Sequence, residues 1–287
     1  MRTAIATDTN SGITPDQARD MGIGLVPMPI LIDGEVRFEG VDITEDEFYE
    51  AIGNGVSVTT SQPSPGDLRA VWDRMFESGA DRIVYIPMSA KLSKSCEMAQ
   101  ITAQAFDGRV EVVDNRRISV TQRTTVNEAI AMVEDGAEAP DIRSFLERRA
   151  GRTSIYLAVD SLDHLVRGGR VSPAVAALGS MLKIKPVLTI QNREIEPYAK
   201  ERGMKKAMTR MLAAAKENAD RMMDSSSEEL VVGVAAAGVG PEREQELIQA
   251  ARDTFPGTQI IFDRIPFSIA AHTGPGAMGV GFHLGMQ

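Results

Sequence analysis

Three hydroxyl-rich stretches and one histidine turn carry the side chains of this sequence best suited to chemistry. The stretches are Asp8-Thr9-Asn10-Ser11, Thr59-Thr60-Ser61-Gln62 and Ser89 to Ser95. Each alone reads as a helix cap or an Asx or ST turn, its hydroxyl serving nearby backbone. Together they read as hydrogen-bond donors for a small anionic head group rather than for a polyphosphate. His272 stands in AAHTGPGAMGVGF, residues 270 to 282. There Gly274, Gly276 and Gly279 permit positive φ and close approach of backbone to a ligand, and Pro275 stiffens the turn. A histidine near a strand end ordinarily just finds a local partner, so the glycines are what mark His272. His164 and His283 have no such setting and read as structural or surface residues.

Other chemistries find little support. The three histidines are dispersed and no CxxC or HxxxH occurs, so no metal site is expected. Asp42, Glu45, Asp46 and Glu47 read as the dipole-compensating start of a helix. GVGPERE at 238 to 244 lacks the GxxxxGK[ST] pattern, and Ser93 is not in a GxSxG elbow. Cys96, the single cysteine, reads as a small core residue, rules out an internal disulfide and suits a reducing cytoplasm. A net charge of −9 argues against a nucleic-acid or anionic-membrane surface. No run approaches the roughly 18 apolar residues of a membrane span, and MRTAIATDT has no leader-like core. These features predict a soluble cytoplasmic protein without membrane insertion, for which transient membrane contact stays open. Against the acidic background, Arg167, Arg170, Lys183, Lys185, Lys200, Arg202, Lys205 and Lys206 concentrate in one region. That region is either a solvated face or a docking patch for an acidic or phosphate-bearing partner.

The elements that must position these residues follow from patterning. The runs at 2–7, 81–87 and 109–114 read as buried strands followed by helix-length segments, the rhythm of a parallel sheet flanked by helices. Thr14-Pro15-Asp16-Gln17 and Ser64-Pro65-Gly66-Asp67 mark helix starts, as does Thr44 with Glu47. Asp33-Gly34 between apolar residues signals a hairpin. The second half predicts a strand at 154–160, two short helical segments, an antiparallel pair within 186–200 and a helix over about 205–224. A strand LVVGVAAAG, a helix over about 241–255 and strands at 258–267 and 277–284 paired with each other complete it. The expected organisation is α/β, with an N-terminal domain over 1–150 on a mainly parallel sheet. A C-terminal domain over 151–287 has a mixed or antiparallel sheet with helices.

The order and spacing of TDTNSGIT (7–14), VPMPILIDGEVRFEGVDITEDEFY (26–49), TTSQPSP (59–65), SAKLSKS (89–95), DSLDHLVRGGRVS (160–172) and AAHTGPGAMGVGF make the chain resemble the DegV family of fatty-acid-binding proteins. The resemblance covers nearly the whole length. It implies a DegV-like fold that binds one long-chain fatty acid in an apolar tunnel between the domains. It further implies that the carboxylate is held by Thr60, Ser61, Ser93 and His272, with Arg170 near the polar end. The chain would then be a carrier rather than an enzyme, without cofactor or metal, serving phospholipid metabolism. Its partner would be the catalytic subunit of a fatty acid kinase, which forms the acyl phosphate from ATP and is engaged through Arg202. Met28, Ile30, Phe267, Ile269 and Met278 are the expected tunnel wall, each equally plausible as ordinary core. Two departures touch the ligand loops: the family's LSG is Leu92-Ser93-Lys94 here, and its DSxxxSxGxG is DNRRISVTQ at 114 to 122, adding Arg116 and Arg117. The competing expectation is a stand-alone esterase or acyl hydrolase using Ser93 with His272. A weaker third is a sugar-phosphate or dihydroxyacetone-type binding module.

Overall fold

Alternation of side chains along short apolar strands sets the faces of the sheet in the first of two units, Met1–Gly151 and Arg152–Gln287. The structure is a computed structural model that describes residues 1–171, 175, 184–190, 194–223 and 228–286. In the first unit β1 (Thr3–Asp8), β2 (Gly24–Val26), β6 (Arg82–Ile86) and β7 (Val110–Val112) form a parallel sheet in the order β2-β1-β6-β7. Ala6 and Tyr85 turn to one face, against Trp72 of α3 (Pro65–Glu77) and Cys96 and Ala99 of α4 (Ser95–Ala103). Ile5 and Val84, one residue away, turn to the other, against Val126 of α5 (Val120–Glu134) and Leu146 of α6 (Ala139–Arg149). Helices on both faces explain why Ile5-Ala6 and Ile83 through Ile86 are buried as consecutive apolar runs.

Local chemistry fixes the boundaries. α1 (Pro15–Asp20), α2 (Glu45–Gly53) and α3 all open on complete capping boxes, at Thr14/Gln17, Thr44/Glu47 and Ser64/Asp67. A cap of this kind contributes about 1 kcal/mol. A second, antiparallel sheet of order β4-β3-β5 is built from β3 (Pro29–Ile32), β4 (Glu35–Phe38) and β5 (Val58–Thr60). Its hairpin turns on Asp33 at φ 51° and Gly34 at φ 84°, both left-handed as a tight primed turn requires.

The second unit is a mixed sheet of order β10-β9-β8-β13-β11-β12. Its strands are β8 (Thr153–Ala158), β9 (Ile184–Ile190), β10 (Ile195–Arg202), β11 (Glu228–Ala236), β12 (Ile260–Arg264) and β13 (Met278–Met286). α8 (Met204–Met222) buries Met208, Met211, Leu212, Ala215 and Ala219, one helical stripe, against Tyr156, Val187, Val280 and Phe282. α7 (Asp163–Arg167), α9 (Pro241–Thr254) and α10 (Phe267–Thr273) complete the described helices. The expected pairing of the last two strands is corrected here. β12 pairs in parallel with β11, and β13 lies on the other side of β11, antiparallel to both β11 and β8. The reason is α9: a helix-length crossover returns the chain parallel to the strand it left. Among the described residues no helix is long and apolar enough to cross a membrane.

Candidate functional site

In the first unit the loops after β1, β6 and β7 meet at the C-terminal ends of parallel strands, where ligands bind in open α/β sheets. Their anchor is Asp8. Its buried carboxylate accepts the N–H of Met88 at 3.0 Å, the N–H of Asn10 at 3.1 Å and Gln122 Nε2 at 3.0 Å. Burial outweighs these contacts and pushes Asp8 up to about 6. The Asp8 to Ser11 loop serves itself: Thr9 Oγ1 accepts the Met28 N–H at 3.1 Å, and Ser11 Oγ donates to the Asp8 carbonyl at 2.8 Å. Both residues are buried.

Ser93 is half-buried on the loop after β6. Its N–H donates to the Ser89 carbonyl at 3.2 Å, its Oγ accepts the Ser95 N–H at 3.1 Å, and the two hydroxyls share a 2.7 Å hydrogen bond. Thr60 and Ser61 come from the other sheet of the same unit. Thr60, in β5, faces Ile30 of β3 across the ladder, and the Ser61 N–H donates to the Pro29 carbonyl at 3.2 Å. Thr60 is half-buried, Ser61 is exposed, and Met28 and Ile30 are buried.

The two departures from the family pattern acquire physical explanations. Lys94 pairs with Glu97 at 3.0 Å across exposed surface. Arg116 is exposed with φ 56°, a left-handed position that glycine would fill without strain. Arg117 is buried instead. It donates to Thr125 Oγ1 at 2.7 Å and the Arg149 carbonyl at 3.0 Å, and lies 3.6 Å from Glu128. Its own carbonyl accepts the Ser89 N–H at 2.8 Å, so a buried cation ties the helices α5 and α6 to the loop carrying Ser93.

In the second unit α7 and α10 pack together. His272, in the last turn of α10, is half-buried, while Arg170 and Arg167 are exposed. Arg170 Nη1 donates to the Gly168 carbonyl at 2.5 Å, which holds the guanidinium against the C-terminal end of α7. Burial, then the charge of Arg170, then His164 hold His272 down at about 4. A neutral imidazole presents one N–H donor and one acceptor, and beside Arg170 it suits a carboxylate. Gly274 and Gly276 have φ 78° and 81°, and the Gly276 N–H donates to the Ala237 carbonyl at 2.7 Å, fixing the turn. Ile269, three residues before His272, shares its helical face, whereas buried Phe267 lies on the other side. Met278 belongs to the core cluster beneath α8.

Of the basic cluster, Lys185 pairs with Asp160 at 2.5 Å, and Lys183 lies outside the described residues. Arg202 ends β10, exposed, two residues from Lys200 and on the same strand face. Cys96 is buried and pushed up to about 12 by burial, which makes it inert. His283 is buried in β13. Among the described residues no group of three or more His, Cys, Asp or Glu side chains could hold a metal ion. Sequence reading named Asp8, Arg117 and His164 without finding the partner of any of them, and gave the Gln122 side chain no role. Each acts through a partner distant in sequence, and no local motif signals it.

A family model described as "Uncharacterised protein, DegV family" matches residues 2–284. A DegV domain-containing protein of Streptomyces coelicolor is 34% identical over 278 residues, 96% of each chain. One from Deinococcus radiodurans is 31% identical, covering 98% of each. Among solved structures, a DegV family protein from Thermus thermophilus, described by its fatty acid binding, is 30% identical with a TM-score of 0.86 over 99% of this chain and 100% of that one. A stearic-acid-binding protein from Eubacterium ventriosum gives 25% and 0.88 over 99% and 98%. DegV of Bacillus subtilis, described as a fatty acid binding protein, gives 27% and 0.84 over 99% of each. With the hydroxyl loops, the neutral His272 and the glycine turn in place within that fold, the chain belongs to the DegV family.

Proposed function

We propose that this chain binds one long-chain fatty acid, its carboxylate taken up by Thr60, Ser61, Ser93 and His272, with Arg170 at the polar end. The acyl chain then occupies an apolar tunnel. The observation that carries the reading is the uncharged imidazole of His272 beside the Arg170 guanidinium on a glycine-built turn. That set gives one carboxylate a hydrogen bond and a counter-charge without a fully buried cation. Relatives of similar length and fold are described as fatty-acid-binding. Each buried methylene contributes about 0.8 kcal/mol, so a long acyl chain supplies affinity that the head-group contacts only orient. The chain then presents the carboxylate to a separate ATP-dependent kinase, and the exposed Arg202 docks that partner.

An esterase would need a base against Ser93 Oγ. That oxygen accepts the Ser95 N–H and shares a hydrogen bond with the Ser95 hydroxyl, and neither partner is a base. Mass spectrometry of a solvent extract of the purified protein tests the carrier reading, with close to one fatty acid per chain expected. Trace lipid, with no uptake of palmitate or oleate by the stripped protein, overturns it. Turnover of a chromogenic acyl ester, lost in Ser93→Ala, would establish the esterase instead.

A further inference from the structure

The second unit sets two imidazoles, not one, into the turn that carries His272. His164 stands on α7 and His272 on α10, and each ring lies on the glycine that ends the other's helix. A Cβ added at Gly168, after α7, would fall well inside contact with His272 Nδ1 and 2.9 Å from its Cε1. A Cβ added at Gly274, after α10, would fall 2.7 Å from His164 Cδ2 and 3.2 Å from its Cγ. Gly168 has φ −73° and ψ −10°, which any residue adopts. The backbone therefore does not require glycine there, but the ring of His272 does.

His164 also grips the segment that His272 belongs to. The backbone of Ala271, the residue before His272, favours the protonated His164 ring, as a carbonyl within its reach does. Arg167 Nη2 lies 3.2 Å from His164 Nδ1 and 3.3 Å from Nε2. A nitrogen almost equidistant from both cannot lie along either in-plane direction. Arg167 thus rests against the ring face, which leaves the edge free to hold Ala271. Burial, then Arg167, keep His164 below its ordinary value, so the gripping ring is neutral.

We propose that His164 is a positioning residue for the anion site: by packing on Gly274 and hydrogen-bonding the Ala271 carbonyl, it aims the His272 ring at the ligand carboxylate. This rests on the assignment of His272 to that carboxylate. A merely space-filling His164 would be replaceable by any side chain of like volume. The hydrogen bond makes a sharper demand, because only a side chain with a donor at the ring's edge can serve.

The test uses full-length, delipidated protein and oleate, with fluorescence competition for Kd and side-chain nitrogen NMR for the imidazoles. With only three histidines in the chain, the three ring signals are readily assigned. His164→Leu keeps the bulk and removes the donor, with His164→Ala in reserve should the leucine not fold. His164→Asn and His164→Gln place an amide N–H where Nδ1 and Nε2 lie. The donorless variant should bind oleate about tenfold more weakly, and the better amide should recover to within about threefold of the parent. In the ligand-free parent His272 should titrate at about 4, and in the donorless variant it should climb toward the ordinary 6.5 as its ring swings into water. Parent-like affinity in a folded donorless variant, failure of both amides to restore binding, or an unmoved His272 titration each overturns the proposal. His272→Ala separates the two levels. If it binds oleate like the parent, the head-group assignment is wrong, while the ligand-free titration still decides whether His164 positions His272.

Discussion

A single methyl group at Gly168 should disable the anion site while sparing the fold. Alanine is acceptable to the backbone there, at φ −73° and ψ −10°, and Gly→Ala at a compatible helix end stabilises by about 0.4 to 1 kcal/mol. The new Cβ, however, overlaps His272 Nδ1, lies 2.9 Å from Cε1 and meets the His164 carbonyl at 3.2 Å. The carbonyl belongs to the helix and cannot retreat, so the imidazole must. Overpacking of this kind costs about 1 to 3 kcal/mol, and rotation of the half-buried ring relieves part of it. Net stability should therefore stay within about 2 kcal/mol of the parent. The carboxylate then loses a hydrogen bond worth about 1.5 to 3 kcal/mol, a rise in Kd of roughly 10- to 150-fold. The assay pairs urea denaturation with oleate competition on stripped protein. Gly53→Ala, where a Cβ meets nothing within 4 Å, serves as control. Parent-like affinity in folded Gly168→Ala would show that the ring's seat on Gly168 is irrelevant to the ligand.

Three further outcomes are expected. Asp8 has a folded value near 6, raised above its unfolded value near 3.8, so its favourable contribution is complete below about 3.8 and is lost as pH rises through about 6. The stability of the parent relative to Asp8→Asn should therefore fall between pH 4 and 7, by on the order of 3 kcal/mol at most; a pH-independent difference in urea midpoints would contradict this. Arg117→Met removes the donor to the Arg149 carbonyl and Thr125 and the guanidinium 3.6 Å from Glu128, and should cost about 3 kcal/mol in chemical denaturation; a loss under about 0.5 kcal/mol would mean that water replaces the guanidinium. Arg202→Ala should leave oleate affinity unchanged yet slow acyl phosphate formation at least about tenfold with a fatty acid kinase subunit, ATP and Mg²⁺ at limiting carrier; equal rates would make Arg202 a solvated surface charge.

Features of the fold that local chemistry decides were legible in the sequence. The capping boxes at Thr14, Thr44 and Ser64 place three helix starts because each is a short-range contract between a hydroxyl and an acceptor three residues on. The hairpin at Asp33-Gly34 follows from the two left-handed positions that such a turn requires. Strand partnership is another matter. β12 and β13 are near in sequence, and each carries an apolar pattern compatible with pairing the other. The choice falls to β11, which takes one on each edge. The helix-length segment at 241–255 signals a parallel return, but the apolar pattern does not say which edge of β11 each strand takes.

The same division runs through the site. His272 was visible because its glycines lie within seven residues of it, and the hydroxyl loops because they carry recognisable motifs. Their supports were invisible. Arg117 looks like an exposed charge in a polar loop until Thr125, Glu128 and Arg149 are folded around it, and Asp8 looks like a turn residue until Gln122 reaches it from 114 positions away. His164 is the sharpest instance. In sequence it reads as a structural or surface histidine of a short helix, 108 residues before His272, and its stretch DSLDHLVRGGRVS marks the family without giving His164 a role. Its meaning lies in a steric fact that exists only when α7 and α10 are side by side: each helix ends in a glycine, and each glycine leaves the volume that the other helix's imidazole fills. Two glycines explained separately, one by a turn and one by a helix end, thus have one joint explanation. It requires that a substitution at Gly168 and one at His164 act on the same ring and be non-additive in oleate affinity.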